Sequence, residues 1–195
     1  MQNGATRIIK RLTAQVISGC ETHRQGKPAM QVSTVPAYEA LAADIKDLGV
    51  ECVFGLMSDD TAQLIAMIDS VGVRFYGARH ENNAIVMAEG YAAATGRLGI
   101  VIIGRGPATA NGMNGATYTQ RSGSPVLMIF SDAPNAQPAP NGLGPDRKGF
   151  NSSSVLQGAG IRTFMANDSV TARRTLVQAA AAAQHGAVAL LLPAN

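Results

Sequence analysis

The residues best placed to do chemistry are Arg79, His80 and Glu81, because they stand where a predicted strand gives way to a predicted helix. Residues 73–78 have the composition of a short strand, and the stretch through residue 96 is apolar nearly all round, which predicts a buried helix. Glu81 is therefore expected in a first helical turn, where doubly wound sheets present functional groups. Two interpretations stay open: an acid favoured by the helix dipole, worth ~0.3–1 kcal/mol, or a catalytic carboxylate kept from water.

A glycine-rich turn, GRGPATANG at residues 104–112, follows the next predicted strand and opens another helix. Its glycines would let the backbone approach a ligand closely, and Pro107 presets the first helical turn. The turn is not a P-loop, and it lacks G-x-G-x-x-G spacing because position 109 is Thr. A ligand loop and a plain tight turn both stay open. A flavodoxin-like binder would place its phosphate loop after the first strand, where Asp59 and Asp60 should repel an anion.

Strand and helix patterns alternate from Pro36 onward. Predicted helices occupy residues 36–49, 61–72, 81–96, 107–120, 152–158 and 169–186, with Asp59 or Asp60 capping the second and Asp168 capping the last. Predicted strands occupy residues 51–55, 73–78, 99–103, 125–132, 161–166 and 188–193. Because the strands are continuously apolar rather than alternating, the sequence predicts an α/β fold with three layers, a six-stranded parallel sheet covered by helices on both faces.

Size and charge divide the 195 residues into a basic N-terminal tail and linker at 1–35 and one domain at 36–195. Residues 1–30 carry five basic residues and one acid, which leaves 11 basic and 12 acidic residues elsewhere. The pI of 9.1 is therefore no indication of nucleic-acid binding. No apolar run approaches the ~20 residues of a membrane span. Two cysteines, Cys20 and Cys52, make no disulfide framework, so we expect a cytoplasmic protein.

Four blocks in this order resemble the pyrimidine-binding (PYR) domain of thiamine-diphosphate-dependent enzymes, in the acetolactate synthase and pyruvate oxidase group. They are VFGLMSDD, ARHENNAIVMAEGYAAATGRLGIVII, GRGPATANGMNGA and GSPVLMIFSD. The resemblance covers roughly residues 36–193. Its most specific part is the central block, in which a Glu follows Arg-His and precedes an Ala-Glu-Gly-Tyr-Ala segment.

The resemblance implies the thiamine-diphosphate-binding fold of the PYR type and assigns roles to four residues. Glu81 would hydrogen-bond the aminopyrimidine ring nitrogen, favouring the imino form of the neighbouring amino group, which then removes the thiazolium proton. Pro107 and Asn111 would line the pyrimidine pocket, and Asn151 falls near a Phe-Gln pair close to the cofactor. Three departures from the group's pattern are Leu56 for a Tyr, Ala108 for the second Gly of the turn, and Asn151 itself.

The resemblance also implies partners. In this family a second domain, marked by Gly-Asp-Gly, holds the diphosphate and Mg²⁺, and the sequence contains no Gly-Asp-Gly. We therefore expect the pyrimidine-binding half of a lyase or transferase that acts on a small 2-keto acid. The resemblance assigns no metal ligand to this chain. The chain would work with a diphosphate-binding domain or subunit in a homo- or hetero-oligomer. Two alternatives are a non-catalytic remnant that dimerises or binds a partner, and a flavin or nucleotide binder of similar topology.

Overall fold

The computed structural model describes residues 35–133 and 148–193, so the N-terminal tail lies outside the described residues. The described part contains six helices and six strands that alternate along the chain. The helices are α1 (Ala37–Asp47), α2 (Ala62–Ser70), α3 (Glu81–Thr95), α4 (Pro107–Ser122), α5 (Ser152–Gly158) and α6 (Ser169–Ala183). The strands are β1 (Cys52–Gly55), β2 (Arg74–Gly77), β3 (Gly99–Ile103), β4 (Val126–Asp132), β5 (Arg162–Met165) and β6 (Val188–Pro193).

All six strands form one parallel sheet in the order β2-β1-β3-β4-β6-β5. The central strand β3 is buried along its whole length, whereas the edge strands β2 and β5 are partly exposed. Continuous burial of the middle strands is the reason that their sequences are uniformly apolar. The prediction of a six-stranded parallel sheet is confirmed. Because the strands are parallel, the loops that follow them meet at one edge of the sheet.

Helices cover both faces of the sheet, as the three-layer prediction requires. Successive residues of β3 point to opposite faces, so Ile102 joins a core beneath α1, α2 and α6, while Val101 joins a core beneath α3, α4 and α5. Ile45 of α1 and Ile85 of α3 are fully buried in these two cores. The functional residues proposed from the sequence begin α3 and α4, and therefore belong to the second face.

Two sequence predictions about helix ends have opposite outcomes. Asp168 caps α6 as predicted, and with Thr171 it forms a capping box in which each side chain bonds the other residue's backbone amide. Neither Asp59 nor Asp60 caps α2, which follows Thr61 without a side-chain cap. That prediction is wrong because both aspartates bond elsewhere.

Helix α3 is buried on one face by its own domain and exposed on the other, so the prediction of a buried helix is confirmed for one face among the described residues. Ala84 and Ala88 are fully buried against the sheet, whereas Met87 is 38% exposed. On the neighbouring helix α4, Tyr118 is 55% exposed. Apolar content alone could not distinguish a helix covered by its own domain from one with an apolar outer face. Within the described residues, nothing covers this outer face of α3 and α4.

An ion pair fastens α1 to α6 across the first face. Arg173 donates from Nε to Oδ2 of Asp44 at 2.7 Å and from a terminal nitrogen to Oδ1 at 2.6 Å. Asp44 is 2% exposed, and this two-pronged contact compensates a carboxylate that would otherwise be buried alone.

We expect Arg173→Ala to lower the free energy of unfolding by about 3 kcal/mol, because it leaves the buried Asp44 carboxylate without its partner. Urea denaturation of the full chain measures the loss. Arg174→Ala is the matched control, since the neighbouring Arg174 is exposed on the same helix. Equal, small losses in both variants would contradict a role for this ion pair in stability.

Candidate functional site

Glu81 is the first residue of α3, directly after the cap residue His80. The His80 backbone is extended, and its Nδ1 accepts a hydrogen bond from the Asn82 amide at 3.2 Å. His80 thereby satisfies one of the free amides at the helix start. Its Nδ1 lies 4.0 Å from Oε2 of Glu81. The cap fixes the first turn of α3 and directs the Glu81 side chain inward, where the residue is only 8% exposed.

The Glu81 carboxylate contacts Asn111 on the neighbouring helix. Nδ2 of Asn111 donates to Oε2 of Glu81 at 3.2 Å. This is the single hydrogen bond that the carboxylate accepts from the described residues, although a carboxylate can accept about four. Oε1 therefore keeps its acceptor capacity although the residue is buried. Sequence reasoning proposed Glu81 and Asn111 separately, and the structure brings them together.

The contact depends on an unusually close approach of α3 and α4. A Cβ atom at Gly112 would lie 2.9 Å from Cδ1 of Ile85, and one at Gly115 would lie 2.9 Å from the backbone oxygen of Asn82. At Gly112 the end of the Ile85 side chain could move aside, but at Gly115 the obstacle is backbone, so Gly115 is the position that requires glycine. The tight packing also leaves Oδ1 of Asn82 buried without a hydrogen-bond partner among the described residues, which costs stability.

The turn before α4 is packed against the segment that begins at Lys148. Gly106 has φ +68°, and a Cβ there would lie 2.3 Å from the Lys148 backbone oxygen, so this position requires glycine. Pro107 is the exposed first residue of α4 and presets its first turn. Thr109 and Ser152 then join hydroxyl to hydroxyl at 3.1 Å in the interior. These contacts fix the start of α4, and with it the position of Asn111.

Asn151 has a local structural role. It is exposed and caps α5, with its Oδ1 accepting a hydrogen bond from the Ser154 amide at 2.9 Å. No hydrogen bond joins it to Glu81 or Asn111 in the part of the chain that the structure describes. Its assignment to cofactor binding stays a prediction. Capping α5 is by itself a sufficient role for the side chain.

Asp60 is a residue whose contacts sequence reasoning missed. Its Oδ1 accepts a hydrogen bond from Ser58 Oγ at 2.7 Å and lies 3.4 Å from Lys148 Nζ, while its Oδ2 accepts from the Arg105 amide at 2.9 Å. Burial alone would raise the pKa of the Asp60 carboxyl, but these donors outweigh it and hold the pKa far below its usual range. Asp59 pairs with Lys148 as well. The two acids thus share one lysine, and Asp60 is held in addition by neutral hydrogen-bond donors. That they repel an anion stays a prediction.

No pattern in the sequence could have revealed these contacts, because Asp60 is 45 residues from Arg105 and 88 from Lys148. The one available signal is topological. Residues that follow β1 and β3 must meet at the carboxyl edge of a parallel sheet when these strands are neighbours.

A cavity of about 220 Å³ opens on the opposite face of the sheet, between α1 and α2. Leu41, Leu64 and Ile129 form its apolar wall, and Asp59 and Asp60 lie at its rim. Neither Glu81 nor Asn111 lines it. This cavity is therefore separate from the site that the sequence predicted.

No group of three His, Cys, Asp or Glu side chains in residues 35–133 and 148–193 is arranged to hold a metal ion. None of the helices in these ranges combines the length and the apolarity that a bilayer span requires.

Comparison with known proteins gives a consistent result. Residues 36–152 match the family described as thiamine pyrophosphate enzyme, N-terminal TPP binding domain. The chain is 31% identical over 104 residues to the probable 2-ketoarginine decarboxylase AruI of Pseudomonas aeruginosa, which is 53% of this chain and 19% of that protein. It is 32% identical over 92 residues to the acetolactate synthase large subunit of Haemophilus influenzae, which is 47% of this chain and 16% of that protein. Murine 2-hydroxyacyl-CoA lyase 2 is 31% identical over 91 residues, which is 47% of this chain and 14% of that protein. The matched stretch thus spans less than a fifth of these relatives.

We expect Gly115→Ala to lower the free energy of unfolding by about 2 kcal/mol, because the added methyl meets a backbone oxygen that cannot move without displacing α3. Thermal or urea denaturation measures this loss. Gly158→Ala is the control, since nothing lies within 4 Å of its Cβ, and it should be neutral or slightly stabilising. If both variants behaved alike, α3 and α4 would not be packed as closely as described.

Proposed function

Because the chain belongs to the thiamine pyrophosphate enzymes, as the N-terminal TPP-binding domain of that family, we propose that Glu81 binds and activates the pyrimidine ring of the cofactor. The reaction class we propose is that of a lyase or transferase acting on a 2-keto acid. The related decarboxylase, synthase and lyase named above support a reaction of this general kind.

The observation that carries this proposal is the state of the Glu81 carboxylate. The residue is buried, one oxygen is held by Asn111, and the other has no donor among the described residues. An acid that merely favours the helix dipole would have no need of burial or of a partner on a second helix. An acceptor that is held in place, with most of its side chain out of water and one oxygen accessible, suits a protonated ring nitrogen.

The residues present fit an aminopyrimidine. Asn111 fixes the orientation of the carboxylate, so the free oxygen of Glu81 can accept the hydrogen bond of the ring nitrogen and hold the proton there. Burial strengthens that hydrogen bond by excluding water. Thiamine diphosphate, when bound, supplies the decarboxylation and carbon–carbon bond chemistry, while the protein tunes and orients it.

We further propose that this chain works with a diphosphate-binding domain or subunit that holds the diphosphate and Mg²⁺. What supports a partner is that Met87 on α3 and Tyr118 on α4, two large apolar side chains, are exposed in this domain. Exposed apolar side chains of this size are suited to packing against another domain or a second copy.

Glu81→Gln should reduce turnover at least ~100-fold in the enzyme assembled with its diphosphate-binding partner, because Gln keeps the shape but cannot stabilise the protonated ring. Steady-state turnover at saturating cofactor measures the loss. Glu89→Gln is the matched control. Glu89 is on the same helix and equally buried, but its Oε1 accepts a hydrogen bond from Ser124 at 2.8 Å, away from the site.

Glu89→Gln should keep turnover within about threefold of wild type, since its carboxylate only joins α3 to the turn before β4. Near-wild-type turnover in Glu81→Gln with cofactor bound would contradict the proposal. It would favour instead a non-catalytic domain that only dimerises or binds a partner.

The isolated chain should form a dimer or larger assembly and bind thiamine diphosphate with millimolar or weaker affinity, independent of Mg²⁺. One ring contact offers too little free energy to offset the fixing of a flexible ligand. Calorimetry with and without Mg²⁺, and light scattering for mass, are the measurements. Micromolar, Mg²⁺-dependent binding would show that the diphosphate site lies within these 195 residues.

A further inference from the structure

We infer that Asp60 is a positioning residue for the Glu81 site, acting through the Arg105 turn that precedes α4. This inference rests on the proposed function of Glu81. It concerns how the start of α4 is held at the distance from α3 that lets Asn111 reach the carboxylate.

Asp60 is surrounded by hydrogen-bond donors. Ser58 donates a hydroxyl to Oδ1, Lys148 approaches the same oxygen with its ammonium group, and Arg105 donates its backbone amide to Oδ2. A carboxylate is the one side chain of this size that accepts on both oxygens. An amide in its place would present an NH₂ group to one of these donors.

The contacts of the Asp60 carboxylate connect three segments at the carboxyl edge of the sheet. Asp60 follows β1, Arg105 follows β3, and Lys148 precedes α5. The Asp60 side chain is only 7% exposed, so its bonds to these segments are shielded from water. A buried carboxylate saturated by donors fixes their relative positions more firmly than exposed contacts would.

The turn at Arg105 and Gly106 connects Asp60 to the start of α4, and so to the proposed site. The Arg105 amide is held by Asp60 on one side, and the next residue, Gly106, packs directly on the Lys148 backbone on the other. Helix α4 begins immediately afterwards at Pro107, and Asn111 lies in its first turns. A displacement of the turn would therefore move the Asn111 amide away from Glu81.

The neighbouring Asp59 provides a natural contrast. It pairs with the same Lys148, but its side chain is 77% exposed and it accepts no bond from Arg105. Asp59→Asn and Asp60→Asn remove the same charge at adjacent positions. Only the second weakens the link to the turn before α4, because an Asn side chain offers one acceptor oxygen to donors that now bond both oxygens of Asp60.

The test is NMR spectroscopy on the full, cofactor-free chain. We expect Asp60→Asn to raise the hydrogen-exchange rate of the Arg105 amide by about tenfold or more. We also expect it to shift the side-chain NH₂ resonances of Asn111 and the side-chain carboxyl resonance of Glu81. Asp59→Asn should change the exchange rate less than about twofold and leave these resonances in place. A purely structural role would lower the melting temperature without moving the signals in the folded state.

Ser58→Ala is the second variant if Asp60→Asn does not fold. It removes one donor that orients the Asp60 carboxylate and leaves the Arg105 amide and Glu81 untouched, so the same signals should shift in the same direction by less. Unchanged Asn111 and Glu81 signals in a folded Asp60→Asn or Ser58→Ala variant, or equal shifts in Asp59→Asn, would overturn the inference. Because no cofactor is present, this result is independent of the turnover of Glu81→Gln.

Discussion

The close approach of α3 and α4 is the constraint on which the proposed site depends. Gly115 of α4 allows the Asn82 backbone oxygen of α3 to come within a distance that a Cβ would forbid, and Gly112 leaves room for the end of the Ile85 side chain. At this separation an Asn side chain of ordinary length reaches the Glu81 carboxylate. A wider spacing would leave that carboxylate buried without a partner, which is costly. The other faces of the two helices are exposed and carry two large apolar side chains, Met87 and Tyr118.

Two buried acids at this edge of the sheet have opposite surroundings. Asp60 receives donors on both oxygens, so its charge is stabilised, its pKa is low and it has little capacity to bind anything more. Glu81 receives one donor from the described residues and keeps an oxygen available. The first arrangement is suited to holding segments of chain together, and the second to accepting a proton-bearing ligand. Environment rather than residue type separates the two roles.

The strands and the helices could be predicted from the sequence, because they depend on local patterns. Glu81 was proposed from the resemblance to a known family, and its role stays a prediction. The bounds of β3 and β6 were predicted to the residue, as was the cap at Asp168. Which face of α3 its own domain covers could not be predicted, since apolar composition does not reveal what packs on each side of a helix. The roles of Asp60 and Lys148 could not either, because their contacts join segments distant in sequence. Placing Asn111 on Glu81 required the actual spacing of two helices.

The most direct test of the account is the position of the cofactor ring in a crystal structure of this chain assembled with a diphosphate-binding domain and thiamine diphosphate. The account predicts that the Glu81 oxygen not bonded to Asn111 lies about 2.7 Å from the pyrimidine ring nitrogen, as a charge-assisted hydrogen bond requires. The Asn111 contact to the other oxygen should be retained. A ring nitrogen beyond hydrogen-bond distance of Glu81, or a ring bound elsewhere on the sheet edge, would contradict it.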